Sequence, residues 1–346
     1  MVDYALERGA DPEARDPHGF TALQMAAALD HRGVVDVLLA RGADPAARHA
    51  EDGSSALHLA AREGHDVTVE RLIAGGAPVG ARRADGKTPL HLAARWTRRR
   101  TVAALIRGGA PIDARDDRRG NTALIDAAFG ADNLHIVAEL LAAGADPGAA
   151  AKDGTTALIA AAEQGHRPIV HLLLSAGAAV DHADGAGQTA LFLAAEAGHA
   201  AVVRDLIGAG AETEVTSAKG RTALGRAALS GHMVTVTALV NAGAEIARRE
   251  ANGRTPLILA AMAGHEDVAR LLIQHGANVN APETGSGNTA LMLTANRGHA
   301  GMVRLLLSAG ADVHAESADG WTALQASEMV GDDEVAALLR AAGAEK

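Results

Sequence analysis

Several residue groupings in the chain have the types that chemistry uses. Gly86-Lys87-Thr88 ends like a phosphate-cradling loop, where backbone amides and a lysine hold phosphates and a hydroxyl serves a metal ion. The upstream glycine, Gly80, stands one residue too far away for that spacing, and the same three residues read as a hairpin turn followed by a helix cap. The 16 histidines invite a metal site. No pair has His-x-x-x-His spacing with a supporting Glu. Seven of them (His31, His65, His166, His199, His232, His265 and His299) instead recur one per repeating segment, which sets them in a row. No serine sits in a nucleophile-elbow sequence. Cysteine is absent, which removes thiol nucleophiles, thiolate ligands and disulfides. The carboxylates are scattered over turns and outer faces, where water would keep them at ordinary acidity. Neither an enzyme active site nor a cofactor is expected.

One cluster survives this sorting. Arg95-Trp96-Thr97-Arg98-Arg99-Arg100 is unlike any other stretch of the chain. From Arg83 to Arg115 there are eight basic and two acidic residues, net +6, so the remainder sums to −16 in a chain of net charge −10. Arg118 and Arg119 continue the theme. A tryptophan flanked by guanidinium groups suits an acidic or phosphorylated protein surface. The plainer reading is a solvated charge run, with Arg98, Arg99 and Arg100 on an outer face.

The bulk composition sets the frame. The net charge of −10 disfavours general binding to nucleic acid or anionic membranes. The N-terminus has no basic region followed by an apolar run, and no apolar stretch is long enough to span a bilayer. A cytoplasmic protein is expected, taken as a monomer. Aromatics make up only 2 % of 346 residues, and the apolar fraction is mostly Ala, Leu and Val. Such residues cannot fill one thick core, but they can fill many thin layers.

The elements that must position the cluster are repeats. Gly-Ala recurs at Gly9, Gly42, Gly76, Gly109, Gly144, Gly177, Gly210, Gly243, Gly276, Gly310 and Gly343, at intervals of 33 to 35 residues. Thr or Ser before a short apolar run gives a second marker at the same period, from Thr21 and Ser55 to Thr322. Between Gly253 and Asn280 the unit reads as a turn, a Thr255 cap with Pro256 at the first helical position, and a small-residue face of Leu257, Leu259, Ala260 and Ala261. Gly264 then breaks the chain, and a second helix comes next with Val268, Leu271 and Leu272 at helical spacing before Gly276 ends it. A pair of such helices is too thin to bury its own faces and needs neighbouring copies.

These residues resemble the ankyrin repeat. Thr88-Pro89-Leu90-His91-Leu92-Ala93-Ala94 matches that family's signature throughout, Ser55 to Ala61 comes close, and the Gly-His pair recurs at six repeats. The resemblance implies an all-α solenoid of stacked helix-turn-helix units joined by β-hairpin-like loops. It divides 1–346, taken as a single domain, into a half repeat at 1–15, nine full repeats over 16–315 and a C-terminal capping repeat over 316–346. Ser327 and Glu328 replace the usual Ala-Ala there, as befits a face in water. The resemblance also assigns the Gly-His histidines a structural hydrogen bond at the turn between helices, and His58 and His91 a bond to their own caps.

Ankyrin repeats bind proteins, so the resemblance implies a protein–protein interaction scaffold with a concave binding face. Four of the six aromatics, Phe20, Trp96, Phe129 and Trp321, fall at positions that vary in such repeats. With Arg95, Arg98, Arg99, Arg100, Arg118 and Arg119 they are the candidate partner-binding residues, centred on the third and fourth repeats. Leu229 and Met262 could extend an apolar groove, although each also fits an ordinary edge position. Two alternatives stand beside this reading: binding of a phosphate ligand or nucleic acid through the arginines, and a rigid spacer within a longer protein.

Overall fold

Each first helix starts because a threonine or serine breaks the helical backbone and caps the turn after it. Thr255 is extended (φ −84°, ψ 162°), and its side chain accepts the Ile258 N–H at 3.3 Å. The helix Pro256–Ala263 then runs to Gly264, whose φ of 79° is left-handed and costs a glycine little. The chain reverses into Glu266–Gln274. Leu257, Leu259, Ala260 and Ala261 are buried, as are Val268 and Leu272. Alanines on this face let neighbouring helices approach closely, while the leucines supply most of the buried area. Truncating one such leucine to alanine costs about 3 kcal/mol.

This unit repeats through the computed structural model, which describes residues 2–345. The described residues form α-helices and one short 3-10 turn, with isolated antiparallel bridges such as Arg15 to Thr21 in place of strands. Two compact units are present, Met1–Ala179 and Val180–Lys346. Within each, first helices pack on first helices and second helices on second helices in chain order. In the first unit, the helix Val2–Glu7 packs on Arg32–Ala40, and Arg41 pairs with Asp3 at 2.7 Å and Glu7 at 2.9 Å.

The repeats are also tied by polar bonds that the periodicity did not disclose. Glu13, Asp113, Glu214 and Asn280 each accept a backbone N–H from the next repeat, at Asp44, Asp146, Glu245 and Asp312. Successive hairpins bond directly, as in Asp117 N–H to the Asp85 carbonyl at 2.9 Å.

The Gly-His histidines make their structural bond at a turn between helices, and the turn is that of the preceding repeat: His65 Nε2 bonds the Ala28 carbonyl at 3.1 Å, His232 that of Glu196 at 3.1 Å, and His265 that of Leu229 at 3.0 Å. One expectation needs correction. Ser327, expected in water, is fully buried and donates to the Leu324 carbonyl of its own helix at 2.7 Å. Serine adds only one hydroxyl to the alanine methyl, so it fits the packed face once that bond is made. Glu328 is exposed and pairs with Arg340.

Candidate interaction site

The Thr88 repeat departs from the others where its first helix ends. Pro89–Arg95 stops at Trp96, and Thr97 takes the left-handed turn (φ 60°) that glycine makes in most other repeats and Asp30 (φ 55°) in the Thr21 repeat. Arg98 then stands where others have histidine and performs the same task. Its Nε donates to the Arg62 carbonyl of the preceding repeat at 2.9 Å, and its stem lies over Gly64. Arg99 and Arg100 open the second helix, Arg99–Arg107, and Arg99 pairs with Glu139 on the next second helix at 3.0 Å. The six-residue run is therefore split, because the turn at Thr97 sends its last three arginines away from Trp96.

A cleft takes shape on the first-helix side. Arg95, Asp126 and Phe129 are common to two adjoining hollows. The smaller, about 240 Å³, adds Trp96 and Gly130. The larger, about 540 Å³, adds the hairpin residues Arg118 and Arg119 and reaches Gln164 in the Thr156 repeat. Arg95, Trp96, Arg118 and Arg119 are exposed, and Phe129 is half-buried at the end of Ala123–Ala128.

The floor of the cleft is a buried ion cluster. Lys87 Nζ lies 2.5 Å from Asp126 Oδ2 and 3.1 Å from Asp116 Oδ2. Asn121 donates to the other Asp126 oxygen at 3.0 Å. Asp116 Oδ1 accepts the N–H groups of Arg119 and Gly120 at 2.7 and 2.9 Å, which fixes the hairpin tip. Burial opposes ionisation of Asp116, but the Arg119 amide and the Lys87 ammonium outweigh it and hold the carboxyl below its ordinary range.

The sequence pattern missed this floor. By pattern alone Lys87 reads as part of a hairpin turn before a helix cap. Asp126 carried a readable signal, for it occupies the helix position that holds Leu59, Leu92, Leu259 and Leu293 in other repeats.

The remaining candidates lie elsewhere. Phe20 stacks on His49, with ring centroids 4.2 Å apart and planes at 15°. Trp321, in the second unit, is about half exposed and lines a separate hollow of about 240 Å³ with Met292, Leu293 and Met329. Leu229 and Met262 are both half-buried. His58 and His91 do bond their own caps, at 2.8 Å to Ser55 and Thr88, and each also reaches the next repeat, at the carbonyls of Lys87 and Asn121. Among the described residues no group of three or more His, Cys, Asp or Glu could hold a metal ion. No helix among them is long and apolar enough to cross a membrane.

Family comparisons agree with this architecture. A model of ankyrin repeats in three copies matches residues 57–150, 124–217 and 201–283. A many-copy ankyrin model matches 272–325, and a single-repeat model matches 18–50. A search of curated proteins gives no match. The chain belongs to the ankyrin repeat family, whose repeats are generally modules of protein–protein interaction.

Proposed function

We propose that the chain is a non-enzymatic scaffold that docks another protein on the first-helix side of the Thr88 and Thr122 repeats. One observation carries this reading. Arg95, Arg118 and Arg119 surround one cleft with exposed guanidinium groups that make no ion pair or side-chain hydrogen bond among the described residues. Arginines elsewhere are commonly paired, as Arg107 is with Glu70 and Arg226 with Glu196. Trp96 and Phe129 border the same opening, and Trp and Arg are the side chains that most often anchor interfaces. Trp321 offers a second apolar contact. The lack of cysteine suits a reducing compartment such as the cytoplasm.

The phosphate or nucleic-acid reading is weaker, because Lys87 is spent on two aspartates and the chain is acidic overall. Nothing specific favours the spacer reading. The test is quantitative affinity capture with the full chain. Arg95→Glu with Trp96→Ala should lower recovery of the partner by at least about tenfold, while Arg99→Glu with Arg100→Glu should leave it unchanged. Full recovery with the first pair removes the cleft from consideration.

A further inference from the structure

We infer that the occupant of this cleft is an extended peptide segment that sets an Asp or Glu carboxylate beside an apolar side chain. This rests on the docking reading above and adds the chemistry of the partner.

The charge pattern selects the sign. Three unpaired guanidinium groups ring the opening, and guanidinium matches a planar carboxylate in a paired, two-bond geometry. Arg95 borders both hollows, one walled by Trp96 and Phe129 and the other by Arg118 and Arg119. The acidic residue and the apolar residue of the segment must therefore be neighbours in its sequence.

The hydrogen-bond pattern selects carboxylate over phosphate. Phosphate sites usually combine cations with free backbone amides. The amides at this hairpin tip, Arg119 and Gly120, are already occupied by the chain's own Asp116 carboxylate. The ammonium of Lys87 is likewise held between Asp116 and Asp126. What remains for a ligand is the three guanidinium groups, the Gln164 side-chain amide and one backbone N–H at Arg118, over a floor that carries two carboxylates against one ammonium.

The span selects an extended segment. The cleft touches the C-terminal ends of three successive first helices, at Arg95 and at the cap residues Phe129 and Gln164. Two helix spacings come to about 20 Å. An extended chain covers that with about six residues.

Selection of a randomised peptide display library on the full chain, followed by fluorescence polarisation with synthesised winners, tests this. The expected winners carry Asp or Glu adjacent to an aromatic or aliphatic residue. Their affinity should fall by about thirtyfold with Arg95→Glu and Arg118→Glu, and by a similar factor when the peptide's acid becomes its amide, while Arg99→Glu should not change it. Winners that are neutral or basic, or a phosphoserine replacement that binds more tightly than Asp or Glu, overturn the inference. If winners depend on Trp96 but not on a carboxylate, the docking site stands and the partner chemistry falls. If they bind independently of Trp96, Arg95 and Arg118, both fall. A selection without winners refutes a linear segment and leaves the docking site to the capture experiment.

Discussion

A Cβ built on Gly225 would stand 2.7 Å from Oε1 of Glu250, because Glu250 occupies the space that other repeats fill with their own side chain. In other units that slot holds Gln24, His58, His91 or Phe192, all buried. Gly225 leaves it empty, and the next repeat's hairpin supplies the substitute. Glu250 is only 6 % exposed, and its Oε1 has no hydrogen-bond partner among the described residues. Burial pushes its pKa up, against the opposing pull of Arg226, Arg221, the Thr222 amide and Arg254.

Gly225→Ala should displace this carboxylate toward water. The Glu250 pKa should then return toward the ordinary glutamate range, as side-chain NMR titration would read. In the wild type the raised pKa means that the fold binds the proton more tightly than the unfolded chain does. Stability contributed here is present at low pH and is lost as pH rises from the unfolded value through the folded one. Glu250→Gln should remove that loss and raise stability at neutral pH by about 1 kcal/mol. A Glu250 that titrates normally in the wild type would contradict the arrangement.

His58 makes the opposite dependence. Burial lowers its pKa to about 4. Its Nδ1 accepts the Ser55 N–H at 3.2 Å, and its Nε2 bonds the Lys87 carbonyl at 3.1 Å, so the neutral ring with the proton on Nε2 is the form that fits. The unfolded chain takes up a proton near the ordinary histidine value and the fold does not. Stability therefore falls as pH drops from about 6.5 toward about 4, by up to roughly 3 kcal/mol. Gln24 shows the remedy: its Oε1 accepts the Thr21 N–H at 2.9 Å and its Nε2 donates to the Ala47 and Ser54 carbonyls. His58→Gln should keep the neutral-pH urea midpoint and blunt the acid-side loss.

Lys87 should prove structural by the size of its effect. Lys87→Met leaves Asp116 and Asp126 buried without their shared cation, a loss of about 3 kcal/mol. Adding Asp126→Leu restores the side chain found at Leu59 and Leu92 and should recover a substantial part of the loss. Urea midpoints of the single and double variants measure the coupling. Equal midpoints for Lys87→Met and the wild type would show that the ion cluster contributes nothing.

Thr97 and Arg98 separate architecture from binding. A β-branched residue at φ 60° is strained, so Thr97→Gly should stabilise the chain by about 1 kcal/mol. Arg98→Ala should destabilise it by a similar amount through loss of the bond to the Arg62 carbonyl, without weakening the partner. Weaker partner binding by Arg98→Ala at unchanged stability would return Arg98 to the interface.

The repeat unit was legible in the linear chain because its causes are local. A capping threonine at Thr255, a glycine at Gly264 and leucines at helical spacing act within a few residues of themselves, and their return every 33 to 35 residues reports stacking. The placement of charge was not legible. Arg98 looked like part of a binding run until the turn at Thr97 aimed it at Arg62, and Lys87 looked inert until Asp116 and Asp126 closed around it. Sequence distance hid these pairings: Lys87 and Asp126 are 39 residues apart and meet only because neighbouring repeats stack. Long flexible side chains choose partners across that stacking, so composition and period named the scaffold, and only the packed neighbours decided which arginines are paired within the chain.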